Sequence, residues 1–268
     1  MRSVSFWMIS TILLHLHAVS AHTIPTSASP IQIDSLQPSI TIMPKQDTLS
    51  DFHFTWPRIV APAVLVGYGI AGLKIPGLKK LNTSTQDELF EHQVSGTKWD
   101  NYTQYMPAAM VYAYNLAGIP GKHNFRDRSL LFLGSQAMAA AISIPLKLIV
   151  QEPRPDGSNN LSWPSGHTTT AFASAQFLFE EYKETNIWLS LSGYPFAIFT
   201  GAYRVVNNRH WVSDVVAGAG FGIASTELTY WLYPKVSRLL HQTEKSNKLL
   251  FYPVISGHQY GLGFVKKL

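Results

Sequence analysis

Apolar residues dominate six stretches of the chain, 58–74, 105–119, 128–150, 168–183, 187–204 and 211–233, each with the length and composition of a helix. Together they predict an all-α body, a helical bundle of about six helices. The pattern changes near the C-terminus. Two short runs rich in aromatic and β-branched residues, 249–255 and 259–265, flank Ser256-Gly257-His258 and predict a short C-terminal β-hairpin. Ahead of the first helix, residues 22–50 are rich in Ser, Thr and Pro and show no apolar period, which predicts an extended tether. No internal repeat is visible.

The first residues read as a secretory signal, with Arg2 as the charged start, an apolar run from Phe6 to Leu14, and the small residues Ala18-Val19-Ser20-Ala21 as a cleavage site. His15 and His17 interrupt the run before it reaches membrane-spanning length. The expected organisation is a signal peptide at 1–21, a tether at 22–50, a helical domain at 51–240 with its core at 128–233, and a tail at 241–268 that holds the hairpin. Export follows from it, to the periplasm or the periplasmic face of a membrane.

None of the apolar stretches is a clean membrane span of ~20 residues. The first contains Pro62, the third Lys147, the fifth Pro195 and the sixth Glu227. A bundle docked on or partly in a membrane and a multi-span protein both remain open. Charged residues make up 14% of the chain against a usual quarter or so, and aromatics 12%, which suits a tightly buried or membrane-adjacent helical protein. A net charge of +5 favours anionic partners, yet the cations form no run of the kind that binds nucleic acid. There is no cysteine, so disulfide and thiol chemistry are excluded.

Three clusters place cations and histidines beside small residues. Lys147 is followed by Arg154-Pro155; the proline ends any helix ahead of it, so both cations project at one helix mouth. Taken alone, they are more simply cations complementing a helix C-terminus. Pro164-Ser165-Gly166-His167 opens the fourth helix, where free backbone N–H groups and the positive end of the dipole face an anion and Gly166 lets the backbone approach it. An N-cap serine followed by a turn glycine explains that string too, but leaves His167 without a task. Arg204 precedes His210 and Asp214, which share a helix face if a helix begins near His210. The carboxylate can then hold Nδ1–H and leave Nε2 as a nucleophilic lone pair. A lone pair of this kind is more often a surface contact or half of a metal site.

Taken together, Lys147 with Arg154-Pro155, Pro164-Ser165-Gly166-His167, and Arg204 with His210 and Asp214 resemble the three signature motifs of the type 2 phosphatidic acid phosphatase and vanadium haloperoxidase superfamily. The resemblance covers roughly residues 128–233. One departure is Tyr203, where the family usually has Ser. The resemblance implies that Lys147, Arg154 and Arg204, with the amides of Ser165 and Gly166, hold the phosphoryl oxygens. It implies too that His210 attacks phosphorus to give a phosphohistidine, that His167 protonates the leaving oxygen and then activates water, and that Asp214 orients His210.

The expected substrate is a lipid phosphate or diphosphate, such as phosphatidate, phosphatidylglycerol phosphate, an isoprenoid diphosphate or a lipid A type. A soluble nonspecific acid phosphatase acting on small phosphate esters is the alternative. A vanadium-dependent haloperoxidase ranks lower, and a non-catalytic surface-binding protein lowest. No cofactor is expected, with vanadate as an inhibitor except in the haloperoxidase case. A zinc or magnesium hydrolase is disfavoured because no His-Glu-x-x-His ligand set is present. His53, His92, His123, His241 and His258 read as surface or packing residues, and Asn82, Asn101 and Asn160 begin short glycosylation-like strings.

Overall fold

The computed structural model describes residues 55–90, 98–244, 249–256 and 259–266, so the expected signal peptide and tether lie outside the described residues. Nine helices are present among them: α1 (Trp56–Lys74), α2 (Pro76–Phe90), α3 (Asp100–Thr103), α4 (Met106–Leu116), α5 (Phe125–Val150), α6 (Gly166–Tyr182), α7 (Ile187–Leu191), α8 (Tyr194–Val206) and α9 (Val212–Glu244). The hairpin is formed by β1 (Leu249–Ser256) and β2 (Gln259–Lys266), antiparallel from Leu249 opposite Lys266 to Ser256 opposite Gln259.

Helix boundaries follow local chemistry. The Asn124 side chain caps α5 by accepting from the Asp127 amide at 2.9 Å, and Asp127 places a negative charge in the first turn. At the other end Gln151 turns left-handed, with φ of 49°, after Lys147 in the last turn. The stretch 187–204, read as one helix, is two: α7 is capped by Asn186, whose side chain accepts from the Trp188 and Leu189 amides, and a new helix starts at Tyr194 with Pro195 in its first turn. Two helices carry too little apolar pattern to be found in the sequence. The first, α2, is polar along most of its length; the second, α3, is a single turn.

The central helix, α6, packs against α4, α5, α7, α8 and α9. Its contact with α9 is close because glycines line the α9 side, Gly218 against Ser165 and Thr168 and Gly222 against Thr169 and Ala173. A Cβ on Gly222 would fall 2.4 Å from the Thr169 carbonyl oxygen, and one on Gly218 would fall 2.7 Å from that of Ser165. Backbone therefore meets backbone where α9 crosses the start of α6, and no larger residue fits. A second core, of Val111, Leu131, Phe177, Leu178, Tyr182 and Tyr230, fills the far end of α6.

Beside that far-end core lie buried ion pairs. Arg128 and Glu181 form one, and Arg58 bridges Glu180 and Glu227. Outward, α1 exposes Trp56, Val60 and Val64, and α5 exposes Leu133, Ile144, Leu148 and Ile149. Among the described residues α5 is the one helix long and apolar enough to cross a membrane; α1 with α2 meets the same measure only as a pair bent by 89°.

Candidate active site

The chain leaves α8 through a turn in which Asn208 adopts a left-handed φ of 57°. The amides of Arg209 and His210 both donate to the Arg204 carbonyl, at 3.0 and 3.3 Å, so the turn folds His210 back over the end of α8. His210 is 1% exposed. Its Nδ1 lies 3.5 Å from Asp214 Oδ2, in the first turn of α9, and 3.4 Å from Ser162 Oγ. The same carboxylate oxygen accepts from Ser162 Oγ at 2.5 Å and from the Trp211 amide at 2.9 Å. Asp214 thus braces the ring on its Nδ1 side, with Nε2 on the opposite edge of the imidazole.

Burial pushes the His210 pKa well down, and the charges of Lys147, Arg204 and Arg154 push it the same way. The ring is therefore neutral and keeps its lone pair. Burial raises Asp214 to about 6, against the hydrogen bonds from Ser162 and Trp211 and the charge of Lys147.

The start of α6 stands against this pair. Ser165 precedes the first helical residue, and its amide, expected to face an anion, donates instead to the Asp214 carbonyl at 3.0 Å. That bond ties the start of α6 to α9. The next amides, of Gly166, His167 and Thr168, belong to the first turn and have no carbonyl within the helix to donate to. A Cβ on Gly166 would sit 3.8 Å from Lys147 Cε, which places this backbone beside the first cationic cluster.

Lys147 does two things there. Its ammonium donates to the carbonyls of Leu161, Ser162 and Pro164, at 2.9, 3.3 and 2.5 Å, which uses all three N–H donors to fix the loop ahead of α6. Its charge remains in the site. Arg154 and Arg204 line a cleft of about 340 Å³ with Lys98, Asp100, Asn101, Asn207 and Arg209. The Nε atoms of Arg154 and Arg204 are both buried with no hydrogen-bond partner. Buried donors of this kind are the groups an anion satisfies.

His167 faces α3. Its Nε2 is 2.8 Å from Asn101 Oδ1 and 3.9 Å from Asp100 Oδ2, while Asp100 Oδ2 pairs with Arg204 Nη1 at 2.5 Å. Burial lowers the His167 pKa to about 4, with Arg204 adding to the shift and Asp100 opposing it.

All eight residues singled out in the sequence meet in this region. Ser162, Asp100 and Asn101 join them without a signal of their own in the sequence, where Asn101 reads only as the start of a glycosylation-like string. Asn82, which begins another such string, is buried and bonded to Ser213 by its side chain. Tyr203 stacks on Phe199 with ring centroids 5.4 Å apart. His123 is not a bare surface residue, since its Nδ1 lies 2.6 Å from Glu181 Oε1.

A pH dependence follows from Lys147. Burial, then the neighbouring Arg154, bring its pKa down to about 8, with Asp214 opposing them. The ammonium thus loses its charge as pH rises through that value. The affinity of the site for inorganic phosphate is expected to fall above about pH 8, by up to roughly tenfold per unit, while the second ionisation of phosphate is already complete. Lys147→Arg keeps the charge at all accessible pH and should flatten this limb. Phosphate inhibition constants measured from about pH 7 to about pH 10 check it, and a flat wild-type profile rules out Lys147 as the source.

Residues 128–238 match the model of the PAP2 superfamily. A lipid A 1-phosphatase of Porphyromonas gingivalis is 37% identical over 165 residues, 59% of this chain and 37% of that protein. The bacitracin transport permease protein BcrC of Bacillus licheniformis is 37% identical over 82 residues, 30% of this chain and 37% of that protein. The chain therefore spans little more than a third of the length of these curated relatives. Among solved structures, LpxE of Aquifex aeolicus is similar with a TM-score of 0.38 and 18% identity, over 66% of this chain and 96% of that one. A PAP2 type phosphatidylglycerolphosphate phosphatase from Bacillus subtilis gives 0.41 and 16%, over 67% and 97%. The matched segment contains all three charged clusters, and over it the chain is similar to the PAP2 superfamily.

Proposed function

We propose that the protein is a metal-independent phosphatase that removes phosphate from a lipid phosphate through a phosphohistidine on His210. The observation that carries this reading is a buried, neutral His210 braced on its Nδ1 side by Asp214 among the charges of Lys147, Arg154 and Arg204. Nε2 attacks phosphorus and the P–O bond to the leaving group breaks. The leaving oxygen takes a proton from His167. The same His167 then accepts a proton from water as its oxygen attacks phosphorus; the P–N bond breaks, inorganic phosphate departs and His210 regains its lone pair. Arg154, Arg204 and the first amides of α6 hold the non-bridging oxygens, and the Lys147 charge stabilises the transition state beside them.

A lipid substrate is favoured by the apolar surface next to the site. Leu148 and Ile149, directly after Lys147, are 60% and 76% exposed. A bundle docked on the outer face of an inner membrane would present this rim to the lipid that carries the phosphate. The lipid A 1-phosphatase of Porphyromonas gingivalis makes a lipid A type substrate the first to try, followed by phosphatidylglycerol phosphate, phosphatidate and isoprenoid diphosphates.

The test is phosphate release by the purified full chain in detergent from this panel of lipids and from soluble monoesters, with and without chelator and vanadate. Release from at least one lipid in chelator, blocked by vanadate, is expected. Activity that disappears in chelator and returns with one metal ion contradicts the mechanism, and a preference for soluble esters over every lipid contradicts the substrate.

A further inference from the structure

We propose that Asp100, which lies outside the three motifs, is a positioning residue for this reaction. Its carboxylate holds the Arg204 guanidinium at the cleft and sets a negative charge beside His167, so that this ring can carry the proton taken by the leaving oxygen. The inference rests on the phosphatase reading above.

Asp100 is 3% exposed, and its Oδ2 is shared between Arg204 Nη1 at 2.5 Å and His167 Nε2 at 3.9 Å. A buried carboxylate keeps its charge only where such partners exist. The pairing takes one Arg204 nitrogen and leaves Nε, buried and without a partner, for an oxygen of the bound anion. Neighbouring contacts hold the single turn of α3 in place. Thr103 Oγ1 bonds Thr200 Oγ1 of α8 at 2.8 Å, and the Gln104 side chain donates to the Asn101 carbonyl at 3.0 Å.

The charges that act on His167 give Asp100 its role. Arg204 from α8, Arg154 from the loop after α5 and Lys147 from α5 are all positive, and His210 from the turn before α9 is also within electrostatic reach. Asp100, from α3, is the group among them that favours the protonated ring. A ring meant to protonate an alkoxide amid three cations needs such a counter-charge. Asn101 Oδ1 accepts from Nε2 in the free site, 2.8 Å away, and so marks the place the leaving oxygen takes over. The proton then passes from Nε2 to that oxygen as the P–O bond breaks, while Asp100 stays paired with Arg204.

Two esters separate this role from a merely structural one. In p-nitrophenyl phosphate the leaving group departs as a stable anion and needs little help from an acid; in dioctanoyl phosphatidate it departs as an alkoxide and needs the proton. For Asp100→Asn, kcat/KM on the phosphatidate is expected to fall at least about tenfold further than on the nitrophenyl ester, within the range that general acids contribute. The optimum on the phosphatidate should also move to lower pH, because removing the carboxylate makes His167 harder to protonate. Asp100→Glu, which keeps the charge, should preserve the wild-type ratio and optimum. Equal loss of both activities in Asp100→Asn, complete loss included, overturns the inference, as does an Asp100→Glu ratio displaced as far as that of Asp100→Asn. If the wild-type chain releases phosphate from no lipid of the panel and from no soluble ester, the phosphatase reading itself falls and takes this inference with it; an active wild type with unchanged ratios removes only the role of Asp100.

Discussion

Replacing His210 by alanine is expected to abolish phosphate release, by a factor on the order of 10⁴ or more, because a covalent mechanism has no step that proceeds without its nucleophile. The fold should survive the change. The ring is buried, but the polar groups around it have other partners: Asp214 Oδ2 keeps Ser162 Oγ and the Trp211 amide, and Lys147 keeps its three carbonyls. Substrate binding should survive as well, since the cations and the amides of α6 are untouched. His167→Ala has a different signature. Attack by His210 needs no proton from that ring when the leaving group is p-nitrophenolate, whereas activation of water does, so labelled phosphoenzyme should accumulate in His167→Ala and be absent from His210→Ala. Quenched-flow trapping with p-nitrophenyl phosphate reads both. A His210→Ala variant with wild-type turnover, or a phosphoenzyme whose label sits on another residue, removes the phosphohistidine.

Asp214 is expected to matter less than His210, for a reason visible in the distances. At 3.5 Å its contact with Nδ1 is longer than a firm hydrogen bond, and the bonds it makes at 2.5 and 2.9 Å go to Ser162 and Trp211. The carboxylate acts as a hub: it joins the loop ahead of α6 to the first turn of α9, and through that joint it sets where the ring lies. The pair was legible in the sequence because the two residues sit four apart at a helix start. Ser162 was not, since a loop serine forty-eight positions before the histidine gives no periodic signal.

The same distinction governs the rest of the molecule. The long helices were readable because their apolar faces recur along the chain, and the three charged clusters because each is compact in sequence. Features that arise only when distant segments meet were hidden. Asp100 and Asn101 reach the site from a one-turn helix with no apolar pattern, and the break between α7 and α8 depends on a cap at Asn186 and a proline in a stretch that reads as continuous. The work done by Lys147 was only partly visible. Its position at a helix mouth suggested charge toward an anion, but the carbonyls it fastens belong to residues 161, 162 and 164, and that loop takes its course only once α6 packs against α9.

Stability is expected to depend most on a group at the opposite end of α6. Arg128 is 2% exposed, and its guanidinium donates to Glu181 Oε2 at 3.2 Å and to the His123 carbonyl at 2.5 Å. Glu181 in turn receives the Tyr230 hydroxyl at 2.7 Å and His123 Nδ1 at 2.6 Å. Burial alone would push the Glu181 pKa up, yet the bonds from His123 and Tyr230 hold it below the usual carboxylate range, so it is charged. Arg128→Ala strands that charge in the core and should cost about 3–5 kcal/mol, a fall in Tm of roughly 10 °C for a chain of this size. Replacing the pair together, as Arg128→Met with Glu181→Gln, removes the charge while leaving an acceptor for Tyr230, and most of the loss should return. Glu181 and His167 lie on one helix about 21 Å apart along its axis, so kcat per folded molecule should stay at the wild-type value in both variants. Thermal unfolding with active-site titration measures the two effects separately. A double variant as unstable as Arg128→Ala would mean that the arginine acts through its packing and its bond to the His123 carbonyl, and not by neutralising Glu181.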